Sequence, residues 1–185
     1  GLGQDELAIV TGAGPIGMGV AQFARECGAR VVVIDTNAER LAFCRDKLGI
    51  EMTLNPSEDD INAALKALSD DELADVAFDA TGSPTAMQAG FDLLGQAGRY
   101  VLVSIVKADI SFHDPDFHRK ELTLIASRNA TRADFDHVTH LMESGRLKVD
   151  AMITHRAELA DVPERMPAWC TPATGVVKAM IEISD

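Results

Sequence analysis

The stretch "IVTGAGPIGMG", Ile9 to Gly19, decides how the rest of the chain is read. It sets Gly12, Gly14 and Gly17 in a G-x-G-x-x-G spacing, directly behind an apolar run and directly ahead of a helix-like one. Three glycines alone mean little, because a ligand-free strand-to-helix turn has the same composition. The context carries the weight: a strand before, a helix after, and an acidic residue at the end of the next strand. In that context Gly12 makes the tight turn, Gly14 lets a pyrophosphate approach the backbone, and Gly17 lets the helix pack on the strand. The phosphates would rest on free N–H groups at the positive end of the helix dipole. Asp35 falls eighteen positions after Gly17, near the spacing of about 20 residues at which a carboxylate takes the hydroxyls of an adenosine ribose. A carboxylate there repels a 2'-phosphate, which favours NAD over NADP. Taken singly, an aspartate at a strand end is also a common turn former.

Outward from this motif, strand-like and helix-like segments alternate. "ELAIVTG" reads as a buried strand, Pro15 to Cys27 as a helix, and "RVVVID" as a second strand. "NAERLAFCRDKLG" reads as a helix with Asn37 as N-cap and Gly49 as its close. A weaker third strand lies near Glu51 to Leu54, followed by an acidic helix from Ser57 to Leu68 and the strand "DVAFDAT". A helix from Pro84 to Leu94 and the strand "GRYVLVSIV" come next. "KADISFHDPDFHRKE" is polar and irregular; "LTLIAS" supplies a sixth strand, and a last helix runs from Arg132 to Ser144. The tail from Leu147 contains Pro163, Pro167 and Pro172 and ends in the strand-like "VVKAMIEI". This alternation predicts an α/β fold: a Rossmann-type, doubly wound parallel sheet of six strands in the order 3-2-1-4-5-6. Residues 1–146 form the NAD-binding domain in this reading, and 147–185 a C-terminal tail.

Composition narrows the classes. At 185 residues and 46% hydrophobic, the chain can bury one full domain core. No apolar run approaches the roughly 18 residues of a membrane helix, so no membrane is expected, and a cytoplasmic setting is the default. A net charge of -12 opposes binding to nucleic acid; an anion would have to be held locally. Cys27, Cys44 and Cys170 are scattered and form neither a disulfide framework nor an evident zinc site. His137 and His140 stand three apart on a helix near Asp134 and Asp136, a spacing that suits a solvated face better than a metal site. The acidic runs Ser57–Asp60 and Ser69–Glu72 suit helix starts or caps. The short-chain dehydrogenase pattern is excluded: Ile16 stands where it needs glycine, and the only tyrosine, Tyr100, is followed four residues later by Ser104 instead of lysine.

"GAGPIG", "VVVIDTNAERLAFCRDKLG", "FDATGSPTAMQAGFDLLGQAGRYVLVS", "KELTLIASRNATRADF", "MITHR" and "GVVKAMIEI" together resemble, in order and spacing, the nucleotide-binding half of a zinc-dependent medium-chain alcohol or polyol dehydrogenase of the sorbitol type. The resemblance implies that Arg40 lies against adenine and that Pro15 and Ile16 run along the pyrophosphate and nicotinamide side. It implies that Ala80, Thr81, Val103, Ser104 and Ile105 line the nicotinamide-ribose cleft. It also implies that Arg128 faces cofactor and substrate, and that Lys178 is a cation near the pyrophosphate. An ordinary strand-edge lysine is the plainer reading of Lys178. The "SRNAT" segment leans toward polyol or sugar-acid substrates.

Members of that family carry a separate lobe with the catalytic zinc ligands and the proton relay, and no such lobe is read in this sequence. The expectation is therefore the cofactor half of a longer enzyme in which zinc acts as a Lewis acid on an alkoxide while hydride passes to nicotinamide C4. The chain alone is expected to bind NAD(H) without oxidising a small alcohol or polyol. No residue within it is assigned a catalytic or metal-binding role, and the sixth-strand edge is expected to pair in a homodimer. The rival reading is a regulatory domain that senses NAD(H) without turnover.

Overall fold

The computed structural model describes residues 1–171 and 174–183; Pro172 lies outside them. Six parallel strands, β1 (Leu7–Thr11), β2 (Arg30–Ile34), β3 (Thr53–Leu54), β4 (Ala74–Asp79), β5 (Leu94–Leu102) and β6 (Thr123–Ala126), form one sheet. Their order is β3-β2-β1-β4-β5-β6, as the alternation predicts. The near-continuous apolar runs of β1 and β2 are what a parallel sheet covered on both faces demands. Ala8, Val10, Val31 and Val33 pack into one core, while Leu7, Ile9, Val32 and Ile34 pack into the other. Register aligns Thr11 with Ile34 on one side and with Asp79 on the other, so three strands end at one level.

Helix boundaries follow local chemistry. α1 (Pro15–Glu26) opens with proline in its first turn, where the missing N–H costs nothing. α2 (Ala38–Phe43) is capped by the Asn37 side chain, which accepts from Arg40 N at 3.1 Å. It runs on through a π turn, Cys44–Leu48, and stops at Gly49 in the left-handed conformation. α3 (Ile61–Leu68) starts later than the acidic run, because Glu58 N and Asp59 N close a turn on the Asn55 carbonyl and Asp60 is the cap. The expected helix from Pro84 to Leu94 is α4 (Pro84–Ala89) followed by a 3-10 turn, Gly90–Leu93, with Leu94 already in β5.

Three readings need correction, the first being the expected last helix, since two further helices, Val149–Met152 and Val162–Trp169, follow Arg132–Glu143. The expected strand "GRYVLVSIV" ends at Leu102, and Val103 to Val106 leave the sheet. Val103 N and Ser104 N both donate to the Asp79 carbonyl, at 3.0 and 3.1 Å, which turns the chain across the end of β4. The polar segment read as irregular holds a short helix, α5 (Asp114–Arg119). Phe117 anchors it by packing on Phe91 and Phe112.

After α6 (Arg132–Glu143), with its Thr131/Asp134 capping box, the chain forms α7 (Val149–Met152), β7 (Ile153–Glu158), α8 (Val162–Trp169) and β8 (Lys178–Glu182). β7 and β8 pair in parallel as a separate two-stranded sheet. Met152 and Val177 nevertheless enter the core beneath α1 and α2. The buried Gln22 amide on α1 also accepts from Lys148 N at 2.7 Å. No helix among the described residues is long and apolar enough to cross a membrane.

Candidate functional site

The carboxyl ends of β1, β2 and β4 open into a cleft of about 450 Å³. Gly12 and Gly14 line its middle, Asp35 and Pro56 the β2–β3 end, and Thr81 and Ser83 the β4 end. It straddles β1 and β4, where strand order reverses, the place at which open α/β sheets bind ligands.

The three glycines differ in what they tolerate. Gly12 has φ +101°, and a Cβ there would lie 2.8 Å from the Ala80 carbonyl oxygen. A Cβ on Gly17 would fall 1.7 Å from the Gly12 carbonyl oxygen, so α1 can sit this close to the turn only without a side chain. Gly14 is different: a Cβ would meet nothing within 4 Å. Packing does not require glycine there, and the position faces open space in the cleft. Gly14 is also the N-cap of α1, which has no side-chain cap and no acidic residue in its first turn. Among the described residues the first turn of that helix supplies no acid and no cap of its own, so its free N–H groups can seat an anion.

Asp35 braces this cradle. Its Oδ2 accepts from Ala13 N at 2.6 Å and its Oδ1 from Asn37 N at 2.8 Å. A carboxylate offers about four acceptor sites, so each oxygen keeps capacity for a ribose hydroxyl while the backbone fixes its direction. Below it, burial first, then the negative charge of Asp35, push the Cys44 thiol up to about 11. A thiol so shifted is a packing residue, not a nucleophile.

The other residues singled out in the sequence divide into two groups. Pro15 opens α1 beside the cradle, Ile16 is exposed one residue later, and Ala80 and Thr81 line the cleft. The Ser104 hydroxyl donates to Asp79 and accepts from Gly82 N, which brings the β5 loop to the β4 end. The rest are not gathered there. Val103 lines a separate apolar groove with Phe23 and Phe78, while Ile105 and Arg128 are exposed beyond β5 and β6. Lys178 lies on β8, paired in register with Ile153. Arg40 turns one guanidinium nitrogen to the Val176 carbonyl at 2.5 Å, and its Nη1 is buried with no hydrogen-bond partner among the described residues. His137 and His140 are exposed on α6.

A zinc-binding dehydrogenase family model matches residues 15–144. The chain belongs to the zinc-binding dehydrogenase family. It is 42% identical over 163 residues to an L-galactonate-5-dehydrogenase of Escherichia coli (strain K12), covering 86% of this chain and 48% of that protein. It is 34% identical over 157 residues to a 2-dehydro-3-deoxy-L-galactonate 5-dehydrogenase of Pseudoalteromonas atlantica, covering 85% and 46%. The crystal structure of 2R,3R-butanediol dehydrogenase from Bacillus subtilis superposes with a TM-score of 0.88 at 26% identity, over 98% of this chain and 52% of that one. The chain thus spans about half the length of the relatives it matches.

No three of His, Cys, Asp or Glu stand together as metal ligands among the described residues, so zinc does not fit them. A dinucleotide does, given the open space at Gly14, the uncapped α1 and the braced Asp35. Sequence reasoning missed Asp79, which is wholly buried at the end of β4. Its signal was available: "VAFD" ends an apolar strand on a carboxylate as "VVVID" does.

Proposed function

We propose that this chain is the NAD(H)-binding portion of a dehydrogenase acting on an alcohol, polyol or sugar acid, and that by itself it binds the dinucleotide without turnover. The observation that carries this reading is the brace between Asp35 and the Ala13 amide, which joins a ribose-binding carboxylate to an anion-binding glycine turn in one rigid unit. Gly12, Gly14 and Gly17 would hold the pyrophosphate, and Asp35 the adenosine ribose. Arg40 would lie beside adenine, with Lys178 nearer the pyrophosphate. Pro15, Ile16, Ala80, Thr81, Val103, Ser104 and Ile105 would flank the nicotinamide side, with Arg128 toward substrate. When bound, NAD supplies a hydride acceptor. The chain's own residues bind and orient it. NAD is preferred over NADP because both Asp35 oxygens are tied to backbone amides and cannot swing away from a 2'-phosphate.

Zinc belongs, in this reading, to the rest of a longer parent, and residues 147–185 are the tail that returns toward it. The names of the sugar-acid relatives support a substrate of that class in the parent. The free thiols Cys27, Cys44 and Cys170 suit a reducing cytoplasm. A homodimer through β6 is part of the same proposal: Leu124 and Ile125 on that edge strand are 42% and 41% exposed. Calorimetry with NAD and NADP, then an absorbance assay over a polyol and sugar-acid panel with added zinc, tests the reading. NAD binding without NADH production is expected. Zinc-dependent turnover by the 185-residue chain would overturn the assignment.

A further inference from the structure

Asp79 is fully buried, yet none of the ion pairs among the described residues includes it. A carboxylate taken out of water without a cation is costly unless donors surround it. Here the donors come from two loops. Thr81 N reaches Oδ1 at 3.1 Å and the Thr81 hydroxyl reaches Oδ2 at 2.9 Å. The Ser104 hydroxyl reaches Oδ1 at 2.6 Å. Because both hydroxyls spend their hydrogens on Asp79, their lone pairs face the other way. Thr81 Oγ1 accepts from Ser83 N, and Ser104 Oγ accepts from Gly82 N, each at 3.0 Å. The main chain of the same residue also takes part, since its carbonyl holds Val103 N and Ser104 N. One residue therefore fixes the loop after β4 and the loop after β5 to each other.

Those loops flank the far end of the cleft from Asp35 and Pro56. If Asp35 takes the adenosine ribose and the glycine turn takes the pyrophosphate, the other half of a dinucleotide must cross β4 toward β5. We propose that Asp79 is a positioning residue for that half: its carboxylate orients Thr81 and Ser104 so that the backbone at Ala80–Ser83 and Val103–Ile105 presents fixed contacts to the nicotinamide ring. This rests on the dinucleotide reading above. Asp79 does not line the cleft and touches no ligand; it acts through the two loops.

The test compares ADP-ribose, which lacks the nicotinamide, with NADH, whose ring fluorescence reports its own surroundings. Both are titrated against the 185-residue chain and its variants. In Asp79→Ala the two hydroxyl donors lose their acceptor; NADH affinity should fall about tenfold and the bound-ring emission should approach that of free NADH, with ADP-ribose affinity within about twofold. Asp79→Asn keeps an oxygen for Thr81 N and Ser104, and its amide can donate to Thr81 Oγ1, so it should restore NADH affinity to within about threefold of wild type. Should Asp79→Ala fail to fold, Ser104→Ala removes the hydroxyl that donates to Asp79 and accepts from Gly82 N but keeps both Thr81 donors to the carboxylate, and should weaken NADH about threefold, again sparing ADP-ribose. Equal losses for both ligands, or unchanged NADH emission, would overturn the proposal. Binding of ADP-ribose and NADH by wild type with no selective loss in any variant refutes this role while leaving the dinucleotide reading intact. Wild type binding neither ligand overturns both.

Discussion

Gly14→Ala separates binding from folding at a single position. The added Cβ meets no atom within 4 Å, and Gly14 sits at φ -79° and ψ 178°, a conformation open to alanine. Alanine is a poorer N-cap than glycine by up to about 1 kcal/mol. Restricting the unfolded chain returns about 0.4–1 kcal/mol. Stability should therefore change by less than about 1 kcal/mol, a Tm shift within about 2–4 °C for a domain of this size. Binding is another matter. The methyl stands where the pyrophosphate must approach the uncapped N-terminus of α1, and losing about two hydrogen bonds to a charged group, each worth about 1.5–3 kcal/mol, costs at least about 3 kcal/mol. Affinity for NAD should drop more than about a hundredfold. Calorimetry and thermal denaturation on the same sample give both numbers. Gly17→Ala is the internal control, since its Cβ would lie 1.7 Å from a backbone oxygen that no rotamer change can move. There the cost falls on folding, at about 3 kcal/mol, with a Tm lower by about 6–12 °C. A Gly14→Ala protein that melts normally and binds NAD as wild type does would refute the cradle.

Asp35→Ser should narrow the preference for NAD over NADP by at least about tenfold, since two unit charges about 4 Å apart repel by about 1 kcal/mol even in bulk water and the 2'-phosphate carries up to about two charges; an unchanged ratio in paired titrations would remove Asp35 from the ribose site. Glu6 is held below the ordinary glutamate value of 4.5, first by the Gly3 amide and then, against some burial, by Arg99 at 2.6 Å. Because its folded-state pKa is depressed, the stabilisation is complete above pH 4.5 and disappears as pH falls through the folded value. Glu6→Gln should thus lower stability at pH 7, by no more than about 1 kcal/mol for a pair so close to solvent, and the deficit should shrink as pH falls below 4.5; a deficit that stays constant on acidification would contradict this. Leu124→Lys should convert a dimer to monomer in sedimentation, and a wild-type chain that is only monomeric well above micromolar concentration would rule out pairing through β6.

What the sequence determined by itself is whatever rests on neighbouring residues. The apolar runs "LAIVT" and "RVVVI", the proline that opens α1, the Asn37 cap and the Gly12–Gly17 spacing all act within a turn or a strand, and β1, α1, β2 and the glycine turn appear where those signals place them. Asp35 was legible too, since its position follows from the end of β2. The rest of the site depended on which strand ends lie side by side. Asp79 became a joint between two loops only when β5 came to lie against β4, which put Ser104 beside it across 25 positions. The same contact ended β5 at Leu102, so the apolar run through Val106 could not reveal it. α5 is polar and short, and Phe117 stabilises it only by meeting Phe91 from another element. Arg40 reaches Val176 over 136 positions. Local hydrogen bonding is written in residue order, whereas burial of a charge and the partner that satisfies it are settled only when distant segments exclude water together.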